Sequence, residues 1–244
     1  MNVSRIFLTA RWQYLAMLNY AVDPALLAGR VPPGTELDFF EDRTYVSVVG
    51  FRFLRTRVLG VAVPLHQDFD EINLRFYVRR RTREGWRRGV AFVRELVPKP
   101  AIAIVARLGF CEPYTAVRMS HDVRDDGERT ARSVSVAYGW RDGANECTIA
   151  LRAQGDPGIP ASGSVEQFIA EHYWGYGIDR RRRGLEYAVR HDPWRVWTAK
   201  NAIFSGNAAR TYGPELAKAI SRTPDSAFLA EGSPVTVSWA DIIV

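Results

Sequence analysis

Glu71, Asn73, Arg75 and Tyr77 form the densest set of chemically useful side chains in this sequence. In the run Glu71-Ile72-Asn73-Leu74-Arg75-Phe76-Tyr77-Val78 polar and apolar residues alternate strictly. An extended strand therefore puts the four polar residues on one face and Ile72, Leu74, Phe76 and Val78 on the other. A polar face turned to solvent is the ordinary outer side of an antiparallel strand. If the face is enclosed, Glu71 and Arg75 must compensate one another, because an isolated buried charge is costly, and such a pair suits an anionic ligand. In that setting Glu71 is a candidate general acid or base, Arg75 an anchor for a carboxylate, and Asn73 and Tyr77 ligand contacts.

A second candidate follows at Arg94-Glu95-Leu96-Val97-Pro98-Lys99-Pro100, where Lys99 is one of three lysines beside thirty arginines. Prolines on both sides hold Lys99 off regular helix. Burial or a nearby cation would lower its pKa from about 10.4 and make it an amine nucleophile toward a carbonyl compound. The competing reading is a loop lysine with its ammonium in water. Arg94 and Glu95 are further candidate ligand contacts. His66, Asp68, Asp70 and Glu71 are the cluster closest to a metal site, but their spacing matches no metal motif, so neither a metal nor a cofactor is expected. The sequence has no Gly-x-Ser-x-Gly, phosphate loop or dinucleotide fingerprint, which lowers the case for hydrolase, kinase and dehydrogenase chemistry. The aromatic stretch Glu171-His172-Tyr173-Trp174-Gly175-Tyr176-Gly177 reads as helix-end packing, with His172 the group placed to reach a pocket.

The chain of 244 residues is 47% hydrophobic, enough to bury a substantial core, and residues 1–244 are read as one domain. Ile6-Phe7-Leu8-Thr9-Ala10 is interrupted at Arg11 and no apolar run approaches membrane-spanning length, so neither signal peptide nor membrane anchor is expected. Cys111 and Cys147 stand alone, without a second cysteine or a histidine at zinc-site spacing, and fit a reducing, cytoplasmic setting. The net charge of +6 raises the question of nucleic acid, as do the runs Arg79-Arg80-Arg81-Thr82-Arg83 and Arg180-Arg181-Arg182-Arg183. Both runs fall at expected turns without a nucleic-acid-binding motif, and read as solvated loop tips. The expected partner is a small molecule, not nucleic acid or membrane; self-association is compatible with the sequence.

The elements that must position these groups are mostly strands. Tyr45 to Leu54, Glu71 to Arg80 and Gly89 to Val97 are rich in β-branched and aromatic residues, with a hairpin around Arg83-Glu84-Gly85. Further strands are expected at Thr115 to Asp122, Thr130 to Gly139, Glu146 to Gln154, Leu185 to His191 and Arg195 to Phe204. Asp23-Pro24 opens a short helix to Gly29, Ser164-Val165-Glu166-Gln167 is a capping box for a helix to about Tyr173, and Pro214 to Ser221 is a late helix. The type of Trp12 to Tyr20 is left open by its mixed spacing. Without regular crossover helices the fold class is α+β, mainly antiparallel, as one strongly curved sheet with a few peripheral helices.

The segments Phe7-Leu8-Thr9-Ala10-Arg11-Trp12, Met17-Leu18-Asn19-Tyr20, Glu71 to Tyr77, Glu95-Leu96-Val97-Pro98, Glu171 to Tyr176 and Glu231-Gly232-Ser233-Pro234-Val235 together resemble the YqjF-like family of uncharacterised bacterial proteins across nearly the whole chain. That family in turn resembles, distantly, the acetoacetate decarboxylases. The resemblance implies a mostly antiparallel β-cone or barrel with an interior site and a lyase-like Schiff-base lysine. In the decarboxylases Arg-Glu-Leu precedes Pro-Lys-Lys, the first lysine forming the Schiff base and the second depressing its pKa. Here Arg94-Glu95-Leu96 precedes Pro98-Lys99-Pro100, so Lys99 corresponds to the first lysine and Pro100 replaces the second. The resemblance therefore implies absent or very weak acetoacetate decarboxylation, with Glu71 in the place of an upstream carboxylate.

Three readings stand at this point. The first is an interior site that binds and converts a small carbonyl or carboxylate compound through Lys99 and Glu71. The second is a non-catalytic binding or structural protein of the same fold, and the third makes the arginine loops the functional surface.

Overall fold

The strand β1, Ile6–Val22, organises the architecture because its two halves serve different neighbours. In the computed structural model, which describes residues 6–127 and 132–243, it is followed by 3-10 turns at Pro24–Leu26 and Ala28–Arg30 and by β2 (Glu36–Leu37), β3 (Thr44–Val58), β4 (Phe69–Thr82) and β5 (Gly85–Val97). Next come α1 (Pro100–Phe110), β6 (Tyr114–Ala116), β7 (Arg118–Asp125), β8 (Ser133–Asp142), β9 (Asn145–Gln154) and α2 (Val165–Ala170). The remainder is β10 (Trp174–Ile178), β11 (Gly184–His191), β12 (Val196–Ser205), α3 (Ala209–Tyr212), α4 (Pro214–Ile220), β13 (Ser226–Ala230), β14 (Pro234–Ser238) and β15 (Asp241–Ile242).

Hydrogen-bonded neighbours run β14-β11-β10-β5-β4-β3-β1, and β14 also pairs with the first half of β1, so this path of strands returns on itself. The second half of β1, Leu15 to Asn19, instead pairs with β13, from which β12, β9, β8 and β7 continue as an outer layer. Pairing is mainly antiparallel, with β5 parallel to both β6 and β10. The switch of partners occurs at a bulge between Gln13 and Ala16, where Tyr14 has a φ of 51°. A bulge adds a residue to one strand and breaks period-two alternation, which is why the spacing of Trp12 to Tyr20 did not identify a strand.

Two buried clusters result. Ile72, Leu74, Phe76 and Val78 of β4 pack with Val136, Tyr138 and Ile149 of the outer layer and with Tyr212 and Leu216 of α3 and α4. The opposite face of the same strands encloses Met17, Val49, Phe51, Phe53, Phe69, Tyr77 and Val237, with Phe168 and Ile169 of α2. The two layers are in close contact at Gly50, where a Cβ would lie 2.8 Å from both Tyr138 and Ile149.

Several expectations need correction. Asp23 caps its turn through Ala25 N at 2.8 Å, but two 3-10 turns replace the helix to Gly29; Pro32 and Pro33 leave too few residues for a second α-helical turn. The helix capped by Ser164 stops at Ala170, and Trp174 to Ile178, read as helix-end packing, form β10. Helix α1 was missed: Pro100 occupies its first position, where proline's fixed φ is favourable, and the Lys99 carbonyl accepts from Ile102 N at 3.1 Å. Residues 130–131 of the expected Thr130 to Gly139 strand lie outside the described residues. No helix among the described residues is long and apolar enough to cross a membrane.

Candidate functional site

The strict alternation in β4 places Glu71, Asn73 and Arg75 on the enclosed face, along a cavity of about 200 Å³ that is otherwise largely walled by aromatic and aliphatic side chains. Tyr77 is buried on the same face, where its hydroxyl contacts Ser47 Oγ at 2.6 Å. All four are at most 8% exposed. Glu95 stands directly across the β4–β5 ladder from Asn73 and lines the cavity too. Parallel pairing sets Tyr114 of β6 beside Glu95, and Glu112 precedes it; Tyr187 reaches in from β11.

Hydrogen bonds tie these groups together. Asn73 Nδ2 donates to Glu71 Oε1 at 3.0 Å, and Tyr114 OH donates to Glu71 Oε2 at 2.9 Å. The Tyr187 hydroxyl donates to Glu112 Oε1. Tyr187 can lie across β10 because its cross-strand partner is Gly175; a Cβ there would collide with its ring. None of the three glutamates has a lysine, arginine or histidine nitrogen within 4 Å among the described residues.

Burial consequently dominates their acidity. It raises Glu71 to about 7, against the bonds from Asn73 and Tyr114 and the more distant Arg75 charge. It raises Glu112 to about 8, against the Tyr187 bond and with the Glu71 charge adding to the rise. Glu95 is pushed well above the ordinary carboxyl range by burial, then by the Glu112 and Glu71 charges. Two buried acceptors in this group, Asn73 Oδ1 and Glu95 Oε2, have no hydrogen-bond partner.

Arg75 departs from the expected pairing. It makes no ion pair with Glu71; Nε donates to Tyr77 OH at 3.4 Å, and Nη2 contacts the Ile169 carbonyl at 3.2 Å and Met17 Sδ at 3.7 Å. Glu71 is instead held by neutral donors, which leaves the guanidinium without a carboxylate. His172 also lines the cavity, packed against Tyr77 and Phe168, with Nε2 3.5 Å from Asp38 Oδ2. Burial lowers His172 to about 4, so the imidazole is neutral at pH 7. Asp38, against the effect of burial, is held below the usual carboxyl range by His172 and by Arg88, whose Nε donates to it at 2.6 Å.

The other sequence candidates lie elsewhere. Lys99 is not among the cavity-lining residues; it sits at the turn from β5 into α1, and its Nζ donates to the Leu65 carbonyl. The neighbouring Val63, His66, Ala101, Ile102 and Val105 do line the cavity, so Lys99 fastens its surround. Arg94 alternates to the other face of β5 and donates to Thr115 Oγ1 at 3.0 Å, apart from Glu95. His66, Asp68, Asp70 and Glu71 do not converge: Asp68 caps Arg55 N, Asp70 meets His121 at 2.7 Å, and Glu71 turns inward. The Arg79 to Arg83 run is held by Glu36, Glu186 and the Trp86 ring, and Arg183 pairs with Asp179 at 2.8 Å. Sequence reasoning missed Glu112 and Tyr187. A parallel pairing and a distant strand bring them in, and neither leaves a local signal.

Residues 9–234 match the DUF2071 family model, described as "Uncharacterized conserved protein (COG2071)". The chain is 26% identical over 204 residues to the uncharacterized protein YqjF of Bacillus subtilis (strain 168), covering 83% of this chain and 80% of YqjF. Among solved structures it is similar to acetoacetate decarboxylase from Legionella pneumophila, with a TM-score of 0.70, 12% identity, and coverage of 100% of this chain and 90% of that one. An acetoacetate decarboxylase-like enzyme from Sphingomonas wittichii RW1 gives a TM-score of 0.68 at 13% identity, covering 97% and 92%. The fold is thus that of the acetoacetate decarboxylase-like enzymes.

Proposed function

This chain belongs to the DUF2071 family, and from that premise we propose that its interior cavity binds a small carboxylate compound bearing a carbonyl group and moves protons on it by general acid–base chemistry. One observation carries the reading: the Arg75 guanidinium is buried at the cavity with no carboxylate within 4 Å among the described residues. An uncompensated buried cation costs several kcal/mol, and a ligand carboxylate supplies the missing charge. A cavity of about 200 Å³ restricts that ligand to a handful of heavy atoms, below the range of drug-sized sites. The likeness to acetoacetate decarboxylase supports a compound of this class.

Glu71 and Glu112, held near neutrality by burial, are suited to proton transfer at pH 7. Ionised Glu71 takes a proton from the carbon beside the ligand carbonyl, and the carboxyl of Glu112 gives one to the carbonyl oxygen, so the ligand becomes its enol with no net change in protons. In this proposal Lys99 stays bonded to Leu65 at the rim. An amine-nucleophile role would require it to leave that carbonyl and swing inward.

Binding of acetoacetate and pyruvate, followed by ligand-observed NMR, tests the reading. Arg75→Gln is expected to weaken both by tenfold or more, and equal affinity in the two proteins overturns the anchor. Borohydride reduction in the presence of acetoacetate is expected to leave Lys99 unmodified; a mass adduct on Lys99 shifts the function to Schiff-base chemistry.

A further inference from the structure

The cavity has a second polar end that an oxo-acid carboxylate does not use. Asn73, 2% exposed, directs its amide nitrogen at Glu71 Oε1, which fixes the amide orientation and leaves Oδ1 without a donor. Across the ladder Glu95, also 2% exposed, leaves Oε2 without a donor. The neighbouring donors are already engaged: the Tyr114 hydroxyl with Glu71 and the Glu95 carboxyl, and the Tyr187 hydroxyl with Glu112, and Glu95 Oε2 still has no partner. Two buried acceptors therefore border the same cavity, each unfavourable while it has no donor.

These acceptors sit among three carboxyl groups with no protein cation in contact among the described residues, while the one buried guanidinium among those residues lies further along β4 at Arg75. Resting on the reading of Arg75 as an anion anchor, we infer that the ligand is dipolar, a carboxylic acid that also carries a protonated nitrogen, with its carboxylate on Arg75 and its N–H donors on Asn73 Oδ1 and Glu95 Oε2. Same-face residues two apart on a strand are separated by about 7 Å, which sets the spacing of the two charges to that of a short ω-amino or guanidino acid. Without such a ligand, protons stand in for the missing cation: burial raises the pKa of Glu71, Glu95 and Glu112 and so favours their neutral forms. No group of three or more metal-ligating side chains among the described residues is disposed to hold a metal ion, so the complement is an organic cation.

The test compares 4-aminobutanoate with pentanoate, its near-isosteric monoanion, and 5-aminopentanoate with hexanoate, by calorimetry at pH 7. The wild-type protein is expected to prefer the amino acid of at least one pair by tenfold or more, although the apolar walls favour the monoanion. In Glu95→Gln the preference is expected to fall to within about twofold, and likewise in Asn73→Leu, which removes the other assigned acceptor and serves alone if Glu95→Gln does not fold. Binding of the monoanions with no gain for either amino acid overturns the dipolar ligand and leaves the Arg75 anchor standing. Binding of none of the four overturns both readings. A preference that survives in both variants places the nitrogen elsewhere and overturns the assigned acceptors.

Discussion

Replacing Glu71 by Gln should stabilise the protein at pH 8 and leave it nearly unchanged at pH 4. A carboxyl whose folded pKa is raised is protonated in the folded chain while still ionised in the unfolded one, so the unfolded state holds fewer protons between the two pKa values and stability falls as pH rises through that window. For Glu71 the window runs from the ordinary 4.5 to about 7; at about 1.4 kcal/mol per pH unit the wild-type loss comes to about 3.5 kcal/mol. Glutamine has no such transition, and its amide oxygen still accepts from Asn73 while Tyr114 turns its hydroxyl to accept from the new NH₂. The assay is urea denaturation of both proteins from pH 4 to 8, in which the advantage of Glu71→Gln should grow upward from about pH 4.5 and level off above 7. At the upper end it corresponds to roughly 7 °C in melting temperature for a chain of this length. An advantage that is flat with pH, or one that grows toward acid, refutes the reasoning, because it would mean that Glu71 is ionised and stabilising where it sits.

In heavy water, proton exchange at the methyl group of pyruvate should be accelerated by the wild-type protein and reduced at least tenfold in Glu71→Gln; equal exchange removes Glu71 from the acid–base role. Gly50→Ala should destabilise by about 1–3 kcal/mol, because the new methyl meets Tyr138 and Ile149. Gly29→Ala, where nothing lies within 4 Å, should stay within about 0.5 kcal/mol, and chemical denaturation of the two variants checks the closeness of the layers. Gly175→Ala should displace Tyr187 from Glu112 and weaken anion binding several-fold, read by the NMR titration used for Arg75→Gln.

The inward face of β4 was legible in the sequence because period-two alternation fixes which residues share a side, and the apolar set Ile72, Leu74, Phe76, Val78 had to be buried somewhere. Pairing between Glu71 and Arg75 was expected from burial alone. Asn73 and Tyr114 satisfied the carboxylate instead, and Tyr114 belongs to a three-residue strand whose parallel pairing with β5 has no local signature. The same limit hid Glu112 and Tyr187. Helix α1 was hidden differently: Pro98 and Pro100 suggest a break, and only the chain direction after Val97 decides whether the second proline ends a loop or starts a helix. The bulge at Tyr14 erased the alternation that would have marked β1 as one long strand.

The dual service of β1 also governs how the molecule comes into being. Its partners β13 and β14 lie more than 200 residues downstream: Leu15 meets Ala230, and Arg11 meets Pro234. At ribosomal rates of about 5–20 residues per second, β1 is finished roughly 10 to 40 s before either partner has been made. During that interval it can pair only with β3, and its other edge stays open beside half-built apolar walls, a template for association with other nascent chains. Loop closure across most of the chain then falls at the end of folding, where it is slow. The enclosed carboxyl cluster can lose its water only at that step, so the costliest burial is deferred until the apolar wall that compensates it is complete.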